Sequence, residues 1–411
     1  MTKQQSKQLL KWTLIIVAAL QMPQVVILPG TNLVATEVFP QYPIQTIQTI
    51  MASPGVVSVI CSILAGVLLR CGIVTKKSMT VLGLGLIAMA GVSALIMNSH
   101  IWQLLLMNFF IGAGAGIYVP SSQSIMFDTF DDETRRFMAG FQFSVINAGG
   151  LILSILCGML ITYVWYAGHV LMLVAVPLML LALIIIPGDK RIKPVKSGGV
   201  KRTKMPARAY YYAFIVFIYI VLYSVATINI STHIEQGGIG DPSTAGIATA
   251  LIMGGPVVSG YILPALTKGL RDHVFSIAML VMAIAFSLLG IFHTSLVITY
   301  AAMFIFGMSM SLIVPRSIYQ AANLSDPTNS STITVLVCTV SAGVGNTVSP
   351  LIITNLTLAL GGESTRFRFL FSAGICVALA VILLFCNLYL DKRLMRAGEI
   401  TESSMEGAAD I

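Results

Sequence analysis

Residues 112–120 read GAGAGIYVP, and residues 307–315 read GMSMSLIVP. Each stretch opens on a glycine, Gly112 or Gly307, and closes on a proline, Pro120 or Pro315, at the same spacing. Small residues fill the same two places between them: Gly114 and Gly116 in the first copy, Ser309 and Ser311 in the second. Both copies lie inside long apolar runs. Small residues two and four apart do more than continue a helix, because they let a second backbone approach closely.

The surrounding composition says what kind of chain repeats itself this way. Of its 411 residues, 56% are hydrophobic and only 10% charged. A soluble domain carries about 25% charged residues, so a soluble globular class is excluded. The mean hydropathy of +0.89 is spread over many separate runs. A membrane span takes roughly 20 apolar residues, so this length holds about twelve with short loops between. Helices are predicted over 12–36, 43–69, 78–97, 101–126, 137–162, 168–187, 209–232, 243–267, 274–293, 296–321, 331–359 and 367–390. The first apolar run continues through Gln21 and Pro23 to Val34 without a convincing cleavage site, and is read as a retained helix.

The net charge of +8 invites a nucleic-acid reading, which the positions of the charges exclude. Every Lys and Arg except Arg316, Arg366 and Arg368 falls at a terminus or in alternate loops. That is the positive-inside bias rather than a binding groove. With an even number of spans, Lys3, Lys7 and Lys11 at one end and Lys392, Arg393 and Arg396 at the other place both termini in the cytoplasm. The six cysteines form no CxxC pair and sit mostly in apolar runs, as small hydrophobes do. No metal or other cofactor is expected.

Residues 187–208, PGDKRIKPVKSGGVKRTKMPAR, read as a solvated basic linker whose bases meet anionic lipid at the inner leaflet. The organisation expected is a six-helix bundle over 1–187, a linker over 188–208, a second bundle over 209–391 and a cytoplasmic tail over 392–411. The two bundles match again where MASPGVVS (51–58) resembles MGGPVVS (253–259), with Pro54 and Pro256 in register. Asp131 and Asp326 also fall at equal distances after Pro120 and Pro315. A parallel repeat of six helices explains these matches. The expected fold is therefore all-α and membrane-integral, with twelve transmembrane helices in two bundles related by a pseudo-two-fold axis.

These features resemble the major facilitator superfamily over nearly the whole chain. The Gly-rich stretch and proline of that family's fourth helix match MNFFIGAGAGIYVP. Its acids followed by Arg between helices 4 and 5 match DTFDDETRR, with Asp128, Glu133 and Arg135. Its basic turn between helices 2 and 3 matches Gly66 with Lys76 and Lys77, and its tryptophan before the sixth helix matches Trp165. The departures are equally definite. The fourth-helix Arg is Asn108, the acid of the helix 2–3 turn is missing from LLRCGIVTKK, and the antiporter Gly-Pro step of the fifth helix is Leu153-Ser154. The resemblance implies the two-bundle fold and solute transport. The departures count against proton-coupled drug export.

A polar helix face in lipid must look at protein or at a wetted passage. Gln21, Gln24 and Asn32 share one stripe of the first helix, which Pro23 and Pro29 interrupt; they line the path or bond neighbouring helices. Tyr212, Tyr219 and Tyr223 share a face of the seventh, with Tyr212 placed as an interfacial anchor and the other two in the path. Arg316 follows Pro315 inside the tenth helix, on a face with Ser309, Gln320 and Asn323, and serves either an anionic group of the solute or a cytoplasmic gate. Asn108 and Gln142 complete the candidate path with Asn346. Asn147 and Ser154 in the fifth helix, and Asn346 and Ser349 in the eleventh, line the path or lock helix packing. Asp128 with Arg135, beside Lys76 and Lys77, forms the candidate gate at the inner ends.

No acid falls mid-span in this reading. Glu37 is at an outer end and Asp128 at an inner one, while His169, His233 and His293 lie near outer boundaries. Uniport, exchange and coupling to a proton all stay open. The chain lacks HExxH, a serine nucleophile elbow and a phosphate-cradling loop, so an enzyme or an ATP-driven pump is excluded. The expected protein is a monomeric alternating-access carrier for a small organic solute, anionic or amphipathic. A proton-antiporting multidrug exporter is the alternative.

Overall fold

The structure is a computed structural model, and it describes residues 3–71, 73–188, 207–266, 270, 273–323 and 341–396. Helices α1 (Gln4–Val38), α2 (Ile44–Leu69) and α3 (Lys76–Ile96) are followed by α4 (Ile101–Thr129), α5 (Asp132–Ile161) and α6 (Ala167–Ile185). The second half supplies α7 (Ala207–Gln236), α8 (Pro242–Leu266), α9 (His273–Ile291), α10 (Leu296–Asn323), α11 (341–359) and α12 (Thr365–Arg396). Ten of these are long and apolar enough to cross a membrane among the described residues. The remaining two, α8 and α11, adjoin residues outside the described ones. The predicted segment 331–340, most of the linker, the tail from 397 onward, Asp326 and Cys338 also lie outside them.

Prolines shape the two irregular helices. A proline lacks the N–H of the helix ladder and its ring crowds the carbonyl four residues back. With Pro23 and Pro29, α1 passes from α-helix (Lys3–Val17) through two short 3₁₀ turns to a π turn at Val34–Val38. The changed winding runs through the stretch that carries Gln21, Gln24 and Asn32. Gln21 and Gln24 are half-buried, while Asn32 is buried. In α11, Pro350 opens a second π turn, Pro350–Thr354. Two aspartates begin the helices that follow the inner and outer loops. Asp131 accepts from Thr134 N at 3.1 Å and Thr134 Oγ1 at 2.9 Å, and Asp241 accepts from Thr244 N at 2.8 Å. These are N-cap bonds that satisfy helix-end donors. Donation by Thr134 and Thr244 holds both carboxyls below the usual carboxylate range.

The doubled small-residue motif does the same work in each half. A Cβ on Gly112 would lie 2.6 Å from the Pro54 carbonyl oxygen, and Gly116 presses on Ser58. In the second half, Gly307 presses on Ile252, and Ser311 Oγ meets Ser259 Oγ at 2.5 Å. Ser58 and Ser259 close the two matching α2 and α8 motifs, so α4 on α2 and α10 on α8 are equivalent contacts. Gly114 meets the Gly83 carbonyl of α3 at 2.5 Å from a notional Cβ.

The apolar residues sort into two cores. One gathers Leu14, Ile47, Leu84, Ile111, Leu153 and Met172 from α1–α6 and takes in Ile228. The other gathers residues of α7–α12, among them Phe275, Phe286, Phe306 and Phe369, and takes in Val25. Outside, the arrangement is inverted relative to a soluble protein. Ile60, Ile63, Leu64 and Val67 form an exposed helical row on α2, and Val377, Val381, Phe385 and Leu388 form another on α12. Apolar rows of this extent suit hydrocarbon, not water.

Candidate functional site

The halves meet along three seams. On α2 and α11, Gly55 and Gly343 touch, each placing a notional Cβ 2.6–2.7 Å from the other's carbonyl oxygen. Beside them Thr347 Oγ1 donates to Ala52 O at 2.9 Å and accepts from Val56 N at 3.1 Å. On α5 and α8, Gly158 and Gly246 touch in the same manner. Between α1 and α7 the contact is polar. Asn32 Nδ2 donates to Glu235 Oε2 at 3.0 Å, Asn32 N donates to Ser231 Oγ at 3.2 Å, and Ser231 Oγ donates to Glu235 Oε1 at 2.7 Å. A further bond runs from Gln48 Nε2 of α2 to Asn229 Oδ1 of α7 at 3.0 Å. Arg368 Nη1 of α12 donates to the same oxygen at 2.9 Å.

These bonds share one side. They involve the last two turns of α1 and α7, the first half of α2, the first turn of α12 and Thr347 of α11. Five hydrogen bonds between the halves, all among the described residues, lie from mid-span toward the side opposite the chain termini. At that side the two halves are bonded to each other.

The remaining candidate residues fall in several places. Asn108 is buried, its amide donating to Ile50 O at 2.9 Å and its oxygen 3.0 Å from His169 Nε2. At the family's arginine position, this chain ties α2, α4 and α6 together. Gln142 donates to Leu14 O at 3.1 Å and fixes α5 to α1. Tyr219 meets Ser309 Oγ at 3.0 Å, and the Tyr223 ring stacks on Phe306 at 5.2 Å. The ring contacts continue edge-on from Phe306 to Phe286 and tilted from Phe286 to Phe369, so both tyrosines join the C-terminal core. Tyr212 is not an interfacial anchor; it is buried with its ring 6.0 Å from Phe275. Asn346 is half-buried and accepts from Ser224 Oγ at 2.6 Å, within the second half. Ser349 donates to Val221 O at 2.6 Å, a packing bond.

Arg316 is half-buried in α10. The Gln320 side chain and those of Asp128 and Arg135 lie outside the described ones, although the helices that carry them are formed. Lys76 is buried and Lys77 half-buried at the start of α3, where Thr75 and Ser78 cap the helix reciprocally. Six side chains that bond at the seam are absent from the sequence candidates: Gln48, Asn229, Ser231, Glu235, Thr347 and Arg368. The signal for three was present as amides and a base inside apolar runs. Glu235 falls beyond the helix predicted over 209–232, whereas α7 runs to Gln236.

Two cored helical bundles, lipid-facing rows outside and a seam of small and polar residues between them define a multi-pass membrane carrier. The chain matches the Major Facilitator Superfamily over residues 14–333 and belongs to that family. It is thus a secondary transporter of a small-molecule solute, not an enzyme. No curated protein matches it. Among solved structures it is similar to the POT family transporter PepTSo, at 15% identity and TM-score 0.71, covering 94% of this chain and 98% of that one. It is also similar to a POT family transporter in complex with 5-aminolevulinic acid, at 15% identity and TM-score 0.72, covering 91% and 95%. The human organic anion transporter MFSD10 (TETRAN) aligns at 15% identity and TM-score 0.68, covering 93% and 100%. At these identities the likeness is one of fold.

Proposed function

We propose that this chain carries a small organic anion across the cytoplasmic membrane by alternating access. The bundles over 1–187 and 209–391, joined by the basic linker 188–208, rock against each other about the three seams. The observation that supports this reading is the set of hydrogen bonds joining two separately cored halves on the side away from the termini. A single passage opened alternately at its two ends needs such contacts at its closed end, and rigid halves are how it moves. The termini lie in the cytoplasm by the distribution of bases, which makes the bonded side the outer one. One chain is the proposed working unit, because it carries both bundles.

The anionic class is supported by two arginines in apolar helices, Arg316 and Arg368. A charge in a span is expensive and usually has a role there. The multidrug alternative loses support because Tyr219, Tyr223 and their phenylalanine neighbours are turned into one bundle's core. Proton linkage is favoured by one specific contact, the half-buried Glu235 carboxylate that reaches across the seam to Asn32. The test is uptake of radiolabelled organic acids into proteoliposomes, with and without an imposed pH gradient. Saturable uptake of at least one acid is expected; uptake confined to cationic dyes contradicts the reading.

A further inference from the structure

Asn229 Oδ1 receives two donors from two directions. Gln48 Nε2 reaches it from the first half and Arg368 Nη1 from the second, at 3.0 and 2.9 Å. The Asn229 amide is held in place by its own donation to Val225 O at 2.8 Å. Arg368 is 3% exposed. Its one hydrogen bond is to this neutral oxygen, its Nε is buried without an acceptor, and no carboxylate of the described residues pairs with it. Gln48 is also fully buried, with its Oε1 unpartnered. A buried guanidinium without a counter-charge is an unstable arrangement, and of its five N–H donors one has an acceptor among the described residues.

Resting on the carrier reading above, we infer that Arg368 and Gln48 form an outer-side clamp for the acid group of the solute. Asn229 Oδ1 holds the place that an oxygen of a carboxylate, sulfonate or similar small organic acid takes. The planar fork of arginine suits such a group, and an ionised acceptor binds it more strongly than an amide oxygen does. Because the two donors belong to different halves, an acid seated between them draws α2 toward α7 and α12. Binding and outer closure are thereby linked through the same atoms. When the halves part, Gln48 leaves with the first half and Arg368 stays with the second, presenting a cation to the outer solution.

The test uses the purified full chain in detergent, with sodium benzoate, sodium succinate and sodium sulfate as probes at constant ionic strength against sodium chloride. The melting temperature of the wild type is expected to rise with at least one probe. Arg368→Gln is expected to weaken that apparent affinity by about ten-fold or more, with Arg368→Lys between. Asn229→Asp supplies an internal counter-ion. It is expected to melt no lower than the wild type without probe and to lose the probe-induced shift. A purely structural Arg368–Asn229 contact would leave that shift intact. An unchanged probe affinity in Arg368→Gln or Asn229→Asp, or no shift of the wild type with any probe, overturns the clamp. Proteoliposomes that take up a neutral solute while the anions are inert would overturn the clamp and the anionic class together and leave only alternating-access transport standing. Proteoliposomes that take up nothing tested would sink that as well.

Discussion

A Cβ on Gly158 would lie 2.7 Å from the Cα of Gly246, and a Cβ on Gly246 would lie 2.8 Å from the Cα of Gly158. Helices α5 and α8 therefore touch backbone to backbone where the halves close. No side chain fits between them, so Gly158→Val is expected to hold the outer side apart. The measurement is the rate at which a membrane-impermeant maleimide labels Gln48→Cys in a chain freed of its six native cysteines. Gln48 is fully buried, so labelling should be slow with Gly158 present and at least about ten-fold faster with valine, the change expected if overpacking shifts the equilibrium by more than about 1.4 kcal/mol.

The Asn32–Glu235 bond is the charge-assisted part of the contact between the halves. Glu235→Gln keeps the shape but replaces an ionised acceptor with a neutral one, a difference of roughly 1 kcal/mol for a half-buried group. A double-mutant cycle with Asn32→Ala, read by thermal unfolding, should return a coupling of about 0.5–1.5 kcal/mol. Additive single effects would show that the two side chains do not cooperate.

The repeated motif makes a symmetric prediction. Gly112→Val against Pro54 and Gly307→Val against Ile252 each drive a side chain into a backbone. Each is expected to destabilise its own bundle by about 1–3 kcal/mol or prevent folding. Limited proteolysis should show the damage confined to the mutated half.

Much of this was legible in the sequence because it follows from local chemistry. The Gly and Ser ladder ending at Pro120 and Pro315 implied close helix contacts, and those contacts fall at matching places in both halves. Pro23 and Pro29 implied a broken first helix. The functional surface was less legible for two physical reasons. An azimuthal stripe assumes constant winding, which α1 lacks, so the stripe does not say that Asn32 reaches Glu235 of the other half. A shared helix face also does not say which neighbour it meets. Tyr219 and Tyr223 do share a face, but α10 and not the other half covers it. Arg368 stood out only as a base in the wrong place, since its partners Asn229 and Gln48 are far away in sequence.

The capping aspartates give a pH dependence with a definite sign. Thr134 holds the folded pKa of Asp131, and Thr244 that of Asp241, below the unfolded value of about 3.9. Each contribution is therefore fully present above that value and is lost as pH falls through the lower folded pKa. Asp131→Asn keeps the cap without the titration, so its melting temperature should fall less steeply below pH 4 than that of the parent. Melting curves between pH 3 and 6 check this, and parallel slopes would contradict it.

The two halves are held to exchange a sealed outer side for an open one. Spin labels at Tyr42, between α1 and α2, and at Glu363, between α11 and α12, sit on opposite halves at that side, both exposed. Pulsed dipolar spectroscopy on reconstituted protein that demonstrably moves solute should show a short distance with a second, longer population whose weight changes on adding solute. A single distribution, identical with and without solute in the same transporting sample, contradicts rocking about these seams.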